Sequence, residues 1–124
     1  MIDLAPEVRQ ALSNNSALAF LVGKDKSGEV KVYPEVTPDA TALPYITFFE
    51  LTNFNDKFVD NKAIDSEIHI QIDVWSKGST SKMAQEVNRT MEDLGYHRSG
   101  TASPYDTETK TYHKVLRYKT NRKL

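Results

Sequence analysis

The residues best placed to do chemistry lie in one short stretch, "SEIHIQIDVWS", Ser66 to Ser76. Here His69 and Asp73 fall on the same side of an alternating pattern, with Glu67, Gln71 and Trp75 beside them. A histidine and two carboxylates in one row could bind a divalent metal or move a proton between an acid and a base. Same-face residues of one strand project in parallel, however, and a metal needs three or four convergent ligands, so a second element would have to complete the site. His113, in "TYHKVLRYKT", is the one obvious helper. The competing reading is a polar sheet face that is solvated or meets a neighbouring subunit, and the sequence favours it.

Other chemistry finds less support. "GKDKSG", Gly23 to Gly28, has the outer glycines of a phosphate loop, but Glu29 and Val30 stand where its lysine and hydroxyl residue belong. No G-x-S-x-G elbow presents a serine nucleophile, and the many serines sit in turns. The chain has no cysteine, which removes disulfides, thiolate catalysis and Cys-based zinc sites. "NNS" and "NRT" match the glycosylation triplet, but the second lies within a predicted helix and both read as coincidence. We expect no catalytic residue, no metal and no cofactor, and hence no enzyme.

A length of 124 residues sustains about one domain, 1–124. With 16 basic and 17 acidic residues the formal net charge is -1, too little field to argue for a dedicated polyanion partner. The opening "MIDLAPEVRQ" lacks a basic flank followed by an apolar run, and no window approaches the roughly 20 apolar residues of a membrane span. The expectation is a soluble chain made in the cytoplasm, with no membrane partner.

The elements that must position the polar row follow from periodicity. "DLAPEVRQALSNNS" predicts a short amphipathic helix, with Asp3 as N-cap, Pro6 in the first turn and Leu4, Val8, Ala11 and Leu12 on one face. Ser16 can cap a second helical piece that closes on Gly23. A short strand is expected around Val30 to Tyr33, followed by a proline-rich loop or edge that includes Asp39 and Ala40. "YITFFELTN", Tyr45 to Asn53, predicts a strand partly covered on both faces.

The strand from Ser66 to Ser76 directs Ile68, Ile70, Ile72 and Val74 to the core and leaves Glu67, His69, Gln71, Asp73 and Trp75 on a wet face. Thr80 or Ser79 then caps a helix whose inward stripe is Met83, Val87, Thr90, Met91 and Leu94, ending at Gly95. Tyr96 to Arg98 reads as the start of a strand, and "TYHKVLRYKT" supplies the last one before a frayed basic tail from about 120. Long polar loops are expected at about 53–65 and 99–110. The fold class is α+β: a largely antiparallel sheet of about four strands with helices packed on one face.

The first of those loops carries Phe54, Phe58 and Val59 in a segment that otherwise asks to be solvated. Exposed aromatics on such a segment either fold back on the sheet or anchor a protein partner. Trp75 carries the same alternatives, and Tyr105 in the second loop joins the candidate partner-contacting residues. The basic end, with Arg117, Lys119, Arg122 and Lys123, reads as a solubilising tail rather than a DNA contact.

The combination of "LPYITFFEL", "IHIQIDVWSKGSTSKMAQEVNRTMEDLGYHR" and a closing "YHKVLRYKT" resembles the tail-completion or tail-to-head joining proteins of long-tailed bacteriophages and prophages. The resemblance is most specific at "QIDVWSK", Gln71 to Lys77, with the turn and the helix ending "LGY" that follow; "ALSNNSALAFLVG" and "VYP" also fit. It implies a tail-terminator-like fold and a virion structural protein that forms a ring, of six copies, at the head-proximal end of the tail. Such a ring would stop tail-tube growth and dock to the head connector or stopper protein, while DNA passes through without specific binding. The contrasting expectation is a small regulatory or hydrolytic domain with a polar site around His69 and Asp73.

Overall fold

Strict alternation over Ile68, Ile70, Ile72 and Val74 decides the centre of the fold, because it gives one strand a continuous apolar face, and each of the four is at most 2% exposed. The computed structural model describes residues 1–38 and 41–124; the part of the proline-rich loop expected at Asp39 and Ala40 lies outside the described residues. The elements run α1 (Ala5–Asn14), α2 (Ser16–Val22), β1 (Val32–Pro34), β2 (Tyr45–Val59), β3 (Lys62–Ser76), α3 (Ser81–Asp93), β4 (His97–Ala102), β5 (Tyr105–Asp106) and β6 (Thr111–Lys123). They form one six-stranded sheet in the order β1-β2-β3-β6-β4, with β5 also on β6. Only β1 on β2 is parallel. The class is α+β as expected, β1 lies where a short strand was expected, and the sheet exceeds about four strands through β4 and through β5, a two-residue piece too short to show a period.

The helices lie on the isoleucine face of β3. Val8 and Leu12 of α1, Leu18 and Val22 of α2, and Met83, Val87 and Met91 of α3 join Ile46, Phe48, Leu116 and Tyr118 of the sheet in one buried cluster. Each such side chain contributes about 1.5–3 kcal/mol by leaving water. Of the stripe expected on α3, Thr90 and Leu94 are only half-buried and Ala84 is buried instead.

The starts of α1 and α2 differ from expectation by one residue each, as befits residues that compete for the same backbone amides, while α3 has Thr80 at its N-cap position as expected. Asp3 accepts from the Ala5 amide at 3.1 Å, one step before the N-cap position, which Leu4 holds. Asn15 rather than Ser16 caps α2: its Oδ1 accepts from the Leu18 amide at 3.0 Å, and its Nδ2 donates to Thr90 Oγ1 at 2.9 Å. Ser79 accepts from the Ser81 amide at 3.2 Å, while Thr80 holds the N-cap position without a side-chain bond. Gly95, at φ +92°, ends the helix in the left-handed region that favours glycine.

Three stretches expected to be irregular are strands. The segment 53–65 is the far end of the β2–β3 hairpin, closed by Asp60 and Asn61 at φ 50° and 62°. Two residues of positive φ form the turn that matches strand twist, and they let both strands continue where a polar loop was expected. The segment 99–110 contains the end of β4, all of β5 and a turn in which Asp106 accepts from the Glu108 amide at 3.0 Å. The tail from about 120 is not frayed, for β6 pairs with β3 as far as Asp65↔Lys123.

Arg122 holds that end in place. It donates through both terminal nitrogens to the two carboxylate oxygens of Glu7 on α1, each at 3.0 Å, and lies 5.4 Å from the centroid of Tyr96. The Tyr96 hydroxyl donates to the same carboxylate at 3.1 Å. A two-pronged guanidinium–carboxylate pair fixes orientation as well as distance, so the last strand is tied across the helical layer to the first helix.

Burial is the main reason the phenols of Tyr96 and Tyr118 are held well above the usual tyrosine range. Their neutral forms stabilise the fold below a pH of about 10; above it the unfolded chain ionises them and the folded chain does not, so stability falls as pH rises. In a spectrophotometric titration we expect Tyr96 and Tyr118 to ionise only together with unfolding, and Y96F to shift alkaline unfolding to higher pH. Ile72→Ala should cost about 2–5 kcal/mol in urea unfolding and Ile64→Ala, on the exposed hairpin end, less than about 0.5.

Candidate assembly surface

The face of the sheet opposite the helices presents the polar row of β3, flanked by β2 and β6 in fixed register. Trp75 stands between Tyr45 and His113, Asp73 between Thr47 and Val115, Gln71 between Phe49 and Arg117, His69 between Thr52 and Lys119, and Glu67 between Phe54 and Asn121. Neighbours so close bond to one another. His113 Nε2 is 2.7 Å from Asp73 Oδ1, Gln71 Nε2 donates to the same oxygen at 3.0 Å, and Arg117 Nε donates to Gln71 Oε1 at 3.0 Å. His69 Nε2 instead meets Glu67 Oε2 at 2.9 Å.

The expected wet face is therefore only partly wet. Asp73 is 4% exposed, roofed by its partners, and Glu67, His69, Gln71 and Trp75 are half-buried. Trp75 is packed on both sides: its ring lies 3.7 Å from that of His113 at an interplanar angle of 13°, Tyr45 is 6.2 Å away, and its indole N–H donates to Thr47 Oγ1 at 3.2 Å. His69 and Asp73, which the contrasting reading put in one polar site, are each taken by a different partner. Among the described residues no three histidine, aspartate or glutamate side chains converge as metal ligands would.

Beyond Asn53 and Ser66 the hairpin extends past the helical layer as an arm. Phe54 and Phe58 are 47% and 61% exposed on the outer face, and Val59 and Ile64 are 54% and 45% exposed on the other. Phe54 stacks loosely on His69, with ring centroids 6.5 Å apart. Lys57 sits at φ 52° and pairs with Asp65 at 3.5 Å. Leu51, at the bulge between Glu50 and Thr52, adds a further exposed apolar side chain. Ile64 and Leu51 were not singled out in the sequence, although Val59-Asp60-Asn61-Lys62 carries the signature of a two-residue hairpin turn that would have placed them. Tyr105 lies at the opposite end of the sheet on β5, half exposed and 4.7 Å from the ring of Tyr112.

A separate cleft of about 750 Å³ opens at the start of α3 and is lined by Lys77, Arg98 and Lys114 without a carboxylate. Two of its cations are engaged, Lys77 with the Thr109 carbonyl at 2.9 Å and Lys114 with Ser103 Oγ at 2.9 Å. No helix, among the described residues, is long and apolar enough to cross a membrane.

The stacked and hydrogen-bonded cluster should behave as one unit. Trp75→Leu and His113→Ala are expected to be less than additive by about 0.5–1.5 kcal/mol in a double-mutant cycle of urea unfolding. Asp73→Ala, which strips the acceptor from both His113 and Gln71, should cost about 1–3 kcal/mol.

The comparisons with known proteins agree with this architecture. No curated protein matches the chain in sequence. A chain in the solved structure of the virion of native gene transfer agent (GTA) particle has the same fold, at a TM-score of 0.65 and 15% sequence identity, covering 94% of this chain and 92% of that one. The family model described as tail completion protein gp17 matches residues 6–121. Matched from α1 to the end of β6, the chain belongs to the tail completion protein gp17 family and is a structural component of a phage tail.

Proposed function

We propose that this protein is a non-enzymatic virion component that assembles as a ring on the head-proximal end of the tail, ends growth of the tail tube, and presents the surface to which the head connector or stopper docks. The protein is made in the host cytoplasm and carried in the particle at the junction of tail and head. Six copies is the ring number that the family resemblance implies. DNA crosses the ring without sequence-specific contact.

The observation that carries the reading is the β2–β3 arm. Its apolar side chains, Phe54, Phe58, Val59 and Ile64, with Leu51 at the bulge near its base, stand exposed on a hairpin that pairs from Thr52↔His69 to Val59↔Lys62. Isolated apolar side chains on a surface need no explanation, whereas a group of them raised on one projecting element marks a protein contact. The regulatory or hydrolytic alternative around His69 and Asp73 finds less support, because His69 bonds Glu67 and Asp73 bonds His113, so the two groups do not share a site. The role of Asp73 is structural in this reading, and the contacts with other tail proteins belong to the arm and to Tyr105.

Tail-tube protein polymerising in vitro should stop at a limited length when the purified chain is added and run on without it, as read by electron microscopy. The double variant F54S/F58S should unfold within about 1 kcal/mol of the parent, since both rings are exposed, yet fail to cap the tubes. Capping by the double variant at parental concentration would overturn the assignment of the arm.

A further inference from the structure

The sheet has two open edges, one at each end, and they are complementary. β1 covers β2 only from Ile46 to Phe48, which leaves the outer side of β2 unpaired from Leu51 to Val59. At the other end β4 and β5 pair only with β6, so their outer side is open from His97 to Asp106. A row of unpaired backbone amides and carbonyls invites another strand, and soluble proteins normally blunt it with lysine, proline or a cover. Neither edge is blunted by proline between these limits except at Pro104, and the β2 edge carries exposed Leu51, Phe54, Phe58 and Val59 instead.

We infer that the β2 edge of one copy pairs with the β4 edge of the next, so that the sheet continues from subunit to subunit. This rests on the ring reading above and names the contact that would build the ring. Strand direction supports it. From β2 through β3 and β6 to β4 every step is antiparallel, so β2 and β4 run in opposite senses. Because β4 is level with Thr47 to Thr52 of its own β2, a copy added head-to-tail with the same face inward, and shifted about six residues along the strands, places the open part of its β2 antiparallel to its neighbour's β4.

Charge supports the same partner. The open part of β2 and its turn bear Asp56 and Asp60 against the single cation Lys57, whereas the β4–β5 edge bears His97 and Arg98 on β4, with Asp106 at its far end on β5. Two β2 edges facing each other would bring like carboxylates together, which disfavours a two-fold dimer through the arms. Contacts between unlike patches of identical chains close into rings when the rotation permits, and two-fold contacts do not.

The absence of native cysteine makes the test direct. Asn55→Cys marks the β2 edge and Thr101→Cys the β4 edge. Within one chain the two positions lie three strand spacings apart, roughly 14 Å, and also six residues apart along β6, since Asn55 is level with Arg122 and Thr101 with Leu116, so a thiol-to-thiol reagent shorter than about 14 Å reports contact between copies. An equal mixture of the N55C and T101C chains is expected to give a cross-linked dimer at least tenfold above either chain alone. The N55C/T101C double variant should give a ladder of multimers that ends at the ring number. A preparation that is oligomeric by native mass spectrometry but yields no N55C–T101C product, or only N55C–N55C product, overturns the edge pairing and leaves the ring standing. A chain that remains monomeric, forms no cross-link and does not cap tail tubes overturns the ring and the pairing with it.

Discussion

The register of β3 is the constraint on which the rest of the molecule depends. Its side chains alternate without exception from Glu67 to Trp75, and both of its edges are committed, one to β2 and the other to β6. A slip of one residue against either neighbour would turn Ile68, Ile70, Ile72 and Val74 away from the helices and put Glu67, His69, Gln71 and Asp73 into the core. The cost of that exchange is far larger than the marginal stability of a domain this size. With β3 fixed, the positions of α3, of the β2–β3 arm and of the closing strand β6 follow.

The two faces of the sheet solve different problems with the same pleat. The helical face removes apolar surface from water through a single cluster. The opposite face has no helical layer over it, and it stays ordered because its polar groups satisfy one another across three strands, from Thr47 through Trp75 and Asp73 to His113 and Arg117. Such a layer is already hydrogen-bonded, which suits a structural component of a particle better than a site that must rearrange around a substrate.

The sequence made the centre of the fold legible and obscured its margins. Period two over Ile68 to Val74 and the helical stripe of Met83, Val87 and Met91 were strong because many side chains repeat one demand. The arm was misread as a loop because Asn53, Asn55, Asp56 and Lys57 are poor strand formers, and the turn signal of Asp60-Asn61 was outweighed by them. The clamp of Arg122 on Glu7 joins residues at opposite ends of the chain, and no local pattern announces a pair of that kind. His113 was legible as a neighbour of the polar row, but that it would take Asp73 rather than complete a site with His69 required the register of β6.

The place of β6 in the sheet sets the order in which the molecule can be finished. The strand that separates β3 from β4 is the last of the strands in the chain, so every residue from Met1 to Lys110 can emerge during synthesis while β3 still has a bare edge. Until residues 111–123 arrive, β1, β2 and β3 can pair and pack on the helices, but the second edge of β3 stays bare, the kind of edge that accepts another chain as readily as its own. β4 finds its place in the sheet only when β6 enters between it and β3.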